Sequence, residues 1–161
     1  MAVRYSQELG DNLFLIANRL ISNPTLVKLL KDTSDDPLNS NLTVSVNDIL
    51  HKNIKVVPLV NEYAEKDTES RLALLYDKAI VENNKDFKLV HFVVLLYVPL
   101  SKWIINDVNL RPFLIISEVE KSLRDTNIKG LGRITYDGWQ LDGVDEFLSS
   151  YRLDFNIEAF N

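Results

Sequence analysis

Residues 88–99 read KLVHFVVLLYVP, and residues 100–105 continue LSKWII. This is the longest dense apolar run in the chain, and it holds no Gly or Ala. Val, Leu and aromatic side chains suit a pleated surface. A run this long without polar alternation wants water on neither face. It predicts a central strand. The rest of the chain must then supply a strand on each side of it and an apolar layer over it.

The chain has 161 residues, close to the usual size of one domain, and no cysteine. That length buries a real core without disulfides or metals. The lack of cysteine excludes a disulfide framework and thiol catalysis. It also argues against a secreted mini-domain and for an intracellular or assembly-bound protein. The net charge is −5, spread along the chain. A duplex-binding groove needs clustered Lys and Arg, and a negative charge spread in this way argues against one. The charge is compatible with an acidic lining past which DNA slides. The opening residues MAVRYS lead into no apolar signal region. No apolar stretch reaches the ~18 residues needed to span a bilayer. The central run comes nearest, but Lys88, His91, Pro99 and Lys102 interrupt it.

An α+β domain follows from the remaining patterns, with a helical segment over about 5–31 and a sheet-and-helix body over about 53–161. Leu9, Leu13, Ile16, Ala17, Leu20 and Ile21 fall on one face of a helix. Asn23 suits an N-cap and Pro24 the first helical position of a second helix through Leu26, Val27, Leu29 and Leu30. Residues 31–43 read as an exposed loop. Residues 47–50 predict one helical turn capped by Asn47. Residues 53–58 predict a short strand closed by Pro58, at an edge or a strand end. Residues 61–70 are polar and charged and read as a flexible loop.

Residues 72–81 are rich in strand formers, although a helix also fits. The stretch Asn83, Asn84, Lys85, Asp86 is strong turn chemistry. Together these predict a long hairpin of 72–81 with 87–98. Pro112 opens a helix over about 111–125, with Phe113, Ile115, Ile116, Val119 and Leu123 buried and Glu118, Lys121, Arg124 and Asp125 wet. Gly130 and Gly132 end it. Residues 131–141 are a strand or a loose hairpin around Asp137 and Gly138, and residues 142–146 a turn. Finally Tyr151, Leu153, Phe155 and Ile157 alternate with Arg152, Asp154, Asn156 and Glu158. That is a strand with one dry face.

Chemistry-bearing constellations are sparse. His51 and His91 are the only histidines, and neither sits in a ligand motif, so each reads as a cross-strand or turn residue. The acids Asp137, Asp142, Asp145 and Glu146 could attract a hard cation, yet their spacing matches no calcium loop, and Asp-Gly pairs form ordinary turns. Asp35 and Asp36 read as a solvated loop. The Gly130, Gly132, Arg133 stretch lacks the third glycine and the Lys-Ser/Thr ending of a phosphate loop. No Gly-x-Ser-x-Gly elbow is present. Trp103 and Trp139 are candidate anchors for a partner surface, or else close the ends of the core.

The element order is helix, long loop, strand, long hairpin, helix, strands. Its landmarks are residues 26–30 (LVKLL), 36–38 (DPL), 52–58 (KNIKVVP), 103–106 (WIIN), 110–112 (LRP) and the closing strand through Ile157. In this order and texture, over residues 9 to 160, the chain resembles the tail-terminator and tail-completion proteins of tailed bacteriophages. The resemblance implies a structural virion protein at the head–tail junction, present in host cytoplasm during assembly. It implies a homo-oligomeric ring, a hexamer or a multiple of one, held between adjacent neck or tail-tube proteins. DNA passes through the lumen without specific binding. No membrane, catalytic residue, metal or cofactor is expected, and no individual functional residue carries over. The loops at 31–47 and 61–70 are then the expected contacts between subunits, and removing 61–70 is expected to leave a folded monomer. Two alternatives remain open: a small non-enzymatic adaptor binding a bacterial protein, and an enzyme with a carboxylate site around 137–146.

Overall fold

The computed structural model describes residues 6–57, 67–81, 87–128 and 131–158. In chain order its elements are α1 (Ser6–Ile21), α2 (Pro24–Lys31), α3 (Val46–Ile49), β1 (Ile54–Lys55), β2 (Arg71–Val81), β3 (Phe87–Pro99), β4 (Ile104–Ile105), β5 (Asn109–Leu110), α4 (Arg111–Leu123), β6 (Asn127–Ile128), β7 (Gly132–Val144) and β8 (Leu148–Glu158). Six strands form one mixed sheet in the order β1-β2-β3-β8-β7-β6, and β4 pairs with β5 apart from it. Only β1 and β2 run parallel. The fold is α+β, as the patterns predict.

The apolar run is β3, and it lies inside the sheet between β2 and β8. On one face Val90, Phe92, Val94, Leu96 and Val98 are almost wholly buried. Their cross-strand neighbours continue that face: Leu74 and Leu153 flank Val94, and Tyr76 and Phe155 flank Phe92. Phe92 stacks on Phe155 at 5.1 Å, and Tyr136 of β7 lies 4.9 Å beyond. An aromatic row therefore crosses four strands. Such cross-strand pairs hold a sheet together more than backbone preference does. The predicted alternation of β8 is observed, with Tyr151, Leu153, Phe155 and Ile157 buried and their neighbours half-covered.

Three helices lie over this face. α1 turns Leu13, Ile16, Ala17 and Leu20 inward, and α4 contributes Ile115, Ile116, Val119 and Leu123. Asn23 caps α2 as expected, its side-chain oxygen accepting from Leu26 N at 3.0 Å. The same amide donates to the Glu118 carboxylate and to Ser122 Oγ, both at 3.0 Å. One residue thus starts α2 and fastens it to α4. Among the described residues no single helix is long and apolar enough to cross a membrane.

Several expectations are corrected. The short helix α3 is preceded by Ser45 rather than capped by Asn47. β1 is only two residues long, at the sheet edge, because Val56 and Val57 leave the sheet. Phe113 is 37% exposed rather than buried, lying at the rim of the core against Tyr151 and Trp139. Asp137 and Gly138 form no turn: β7 is continuous, and Gly138, at φ 115°, sits at a bulge between Tyr136 and Gly138. A second bulge precedes Gly143, so the predicted turn at 142–146 begins only after Val144. A bulge and a turn demand the same backbone-permissive residues, and a partner strand decides between them. The predicted hairpin tip at 83–86 and the loop 61–66 lie outside the described residues.

Candidate functional site

Among the described residues β6 covers only Gly132 and Arg133 of β7, so the rest of β7 has an open side. Gly132 is required there. Its φ is 118°, and an added Cβ would stand 2.3 Å from the Glu158 carbonyl oxygen. Beyond it the strand outruns the helices. Trp139, Leu141 and Val144, on the helix-side face, are 48%, 56% and 61% exposed. Phe147 in the following turn is also exposed. Large apolar side chains in a row on an unpaired strand are the usual mark of a contact surface or an aggregation hazard.

This edge is supported from behind. Trp139 packs against Phe113 at 5.4 Å and Tyr151 at 5.6 Å, and Trp103 meets Phe113 at 6.3 Å. Trp103 is held by its indole N–H, which donates to Ser149 Oγ at 2.7 Å. So the two tryptophans separate in role. Trp103 closes the end of the core, and Trp139 presents its ring to solvent from a rigid aromatic base. The edge is acidic as well as apolar. Residues 134–148 hold Asp137, Asp142, Asp145 and Glu146 and no Lys or Arg. Asp145 is committed to the turn, accepting from Phe147 N and Leu148 N at 2.8 Å. Asp137 accepts from the Asn156 amide. Neither is preorganised for an ion, and among the described residues no three His, Asp or Glu side chains are placed to hold one.

Residue Arg111, in the sequence only the middle of the 110–112 (LRP) landmark, locks the support in place. It is 2% exposed at the start of α4. Its guanidinium donates to the carbonyls of Leu29 at 2.6 Å, Lys102 at 2.7 Å, Asp32 at 3.0 Å and Ser34 at 3.4 Å. Leu29 and Asp32 belong to the end of α2, where unpaired carbonyls gather negative charge. Burial lowers the Arg111 pKa, and nearby Asp32 opposes that shift. The Asp32 carboxyl is itself held below its ordinary value, chiefly by the Ser34 hydroxyl. These bonds also fix the first part of the predicted exposed loop: Asn106 donates through its backbone to the Asp35 carbonyl and through its side chain to Asp36. Residues 32–36 are therefore tied to the body of the fold, with Ser34 and Asp35 still exposed. Ser70, at the end of the other predicted contact loop, is buried with its N–H on the Leu30 carbonyl. Removing 61–70 would therefore take out a buried residue and its bond to α2.

His91 lies on the second face of the sheet. Its ring nitrogens stand 3.1 Å from Asp77 Oδ2 and 3.4 Å from Asp154 Oδ1. Arg152 bonds the same two carboxylates at 2.9 Å each. Three adjacent strands thus carry a closed square of two carboxylates, an imidazole and a guanidinium, and its Asp77 corner is held below the usual carboxylate range chiefly by Arg152. His91 is a satisfied cross-strand residue, as the sequence suggests. His51 adopts φ 65° in the turn before β1, donates its N–H to the Ile54 carbonyl at 2.8 Å and sets its ring edge-on to Phe14. The two histidines sit in separate surroundings, each engaged. Arg133 pairs with Asp125 at 3.0 Å and Gly132 opens a strand, so that stretch has no helix N-terminus to offer a phosphate.

On the opposite margin of the sheet, beside β1, Lys31, His51, Lys52, Lys55, Glu69 and Arg71 line a cavity of about 490 Å³. Basic side chains dominate it, although Lys31 is paired to Glu69 at 3.3 Å. The two margins of one sheet therefore differ in sign of charge.

Residues 23–157 match the protein family described as YomW. The family carries the name of a phage gene product, which suggests a phage-derived protein. No curated protein matches the chain.

Proposed function

The chain belongs to the YomW family, and from that premise we propose that it is a structural virion protein of a tailed phage. In this reading it forms a ring at the head–tail junction, as a tail terminator or neck connector. One observation carries the reading: among the described residues the sheet is open at both margins, β1 on one side and most of β7 on the other. A subunit with two different open margins makes head-to-tail contacts, and these close into rings when the rotation per subunit is right. The helix layer locked by Arg111 and the aromatic base beneath Trp139 make the rigid body such a ring needs. Neighbouring neck or tail-tube proteins would sit above and below the ring, with DNA passing through it unread.

Mass photometry and negative-stain electron microscopy of the purified protein test this. Closed rings of uniform subunit number are expected at micromolar concentration. A protein that stays monomeric and instead forms a 1:1 complex with a bacterial protein would overturn the ring and favour the adaptor reading, for which the exposed Trp139 is the natural anchor.

A further inference from the structure

We propose that the acidic, apolar end of the β7 edge docks on the basic cavity beside β1 of a second copy of this chain. The inference rests on the self-assembly reading above and names the two surfaces that meet.

Two independent properties of the molecule point to this pairing. The first is charge. The β7 margin, residues 134–148, holds four carboxylates and no cation in its sequence. The cavity at the other margin is lined by Lys31, Lys52, Lys55 and Arg71 with Glu69; Glu69 pairs with Lys31 and Asp48 with Lys52, and these four cations outnumber those two carboxylates. A net charge of −5 for the whole chain would make copies repel, unless opposite patches meet. Complementary patches steer association and fix its register. The second is a run of exposed apolar side chains along the acidic margin. Trp139, Leu141, Val144 and Phe147 follow one another along it, and an interface needs such a desolvated centre inside a polar rim. The two patches lie on opposite sides of the sheet, with β2, β3 and β8 between them. Their contact is therefore heterologous. A two-fold contact of β7 with β7 would set acid against acid.

Four proteins decide the matter by sedimentation velocity, with thermal melts to verify folding. They are the wild type, Asp142→Lys with Glu146→Lys, Lys52→Glu with Lys55→Glu, and the chain carrying all four changes. Asp137 and Asp145 are left alone because their local hydrogen bonds are short, whereas Asp142 accepts from Ser150 Oγ only at 3.5 Å. Each two-site variant is expected to weaken self-association at least ~10-fold, a loss of about 1.4 kcal/mol by the usual conversion. The four-site chain, with both patches inverted, should regain it, and so should an equimolar mixture of the two-site variants. Raising salt from about 0.1 M to about 1 M, which shortens the screening length from about 10 Å to about 3 Å, should weaken the wild type. Wild-type assembly indifferent to every reversal, or no recovery in the four-site chain, overturns this inference while leaving the ring intact. Charge-sensitive growth into open chains would instead overturn the ring and keep the docking surfaces.

Discussion

The two faces of β3 belong to one strand and face opposite worlds. Val90, Phe92, Val94, Leu96 and Val98 meet helices and are dry. On the other face His91, Leu95 and Tyr97 are half-covered, and Val93 and Pro99 are buried. The ionic square of Asp77, His91, Arg152 and Asp154 stands on this second face and has no counterpart under the helices. Desolvation explains the division: a charge removed from water costs several kcal/mol unless partners surround it, whereas a half-exposed pair keeps much of its hydration. Arg111 is the exception on the helix side, and it obeys the same rule, since four carbonyls replace its water.

The sharpest way to break the comparison is a charge on the dry face. Val94→Asp is expected to cost more than ~4 kcal/mol, from an unpaired buried carboxylate plus lost packing. The cooperative thermal transition should disappear. A melt at the wild-type temperature would show that the core lies elsewhere. Arg111→Met comes next. It leaves one buried and three half-buried carbonyls without their donor, and a loss of roughly 3 kcal/mol in urea unfolding is expected. An unchanged midpoint would mean that water reaches those carbonyls in the native state.

The smallest effect belongs to the open face. Arg152→Ala should cost less than about 1 kcal/mol at neutral pH, because its pairs are solvent-screened. The informative readout is acid titration. The folded pKa of Asp77 lies below the ordinary 3.8, chiefly through its bond from Arg152. A depressed carboxylate contributes stability that is fully present above the unfolded value and is lost as pH falls through the folded one. Wild type should therefore lose stability on acidification below about that ordinary value, and Arg152→Ala should lose less over the same interval. Equal acid slopes would show that the square contributes nothing.

Much of this architecture is legible in the sequence where the signal is local. The alternation from Tyr151 to Ile157 marks a half-buried strand without any partner in view, and Asn23 with Pro24 announces a helix start through chemistry within three residues. The β2–β3 hairpin and the central place of β3 follow from apolar content alone. What escaped depends on distance. Gly138 and Gly143 signal a permissive backbone, but only the pairing with β8 makes them bulges rather than turns. Arg111 resembles any polar residue before a helix, and the carbonyls it serves at Leu29, Asp32 and Ser34 come from far earlier in the chain. Within the candidate surface, Trp139 and the acids beside it were visible as residue types. Their gathering on an unpaired margin, opposite a basic one, required the strand order.

That strand order also bears on how the protein is made. β8 is the last of the described elements to leave the ribosome, yet its place is in the middle of the sheet, between β3 and β7. Until it arrives, the β2–β3 hairpin shows a bare apolar edge, and β7 has no long strand to join. Sheet closure therefore waits on a long-range step late in synthesis, and such steps are slow and prone to aggregation. The nascent chain must keep its most cohesive segment apart from its neighbours through that interval, and truncation within β8 would leave it exposed for good.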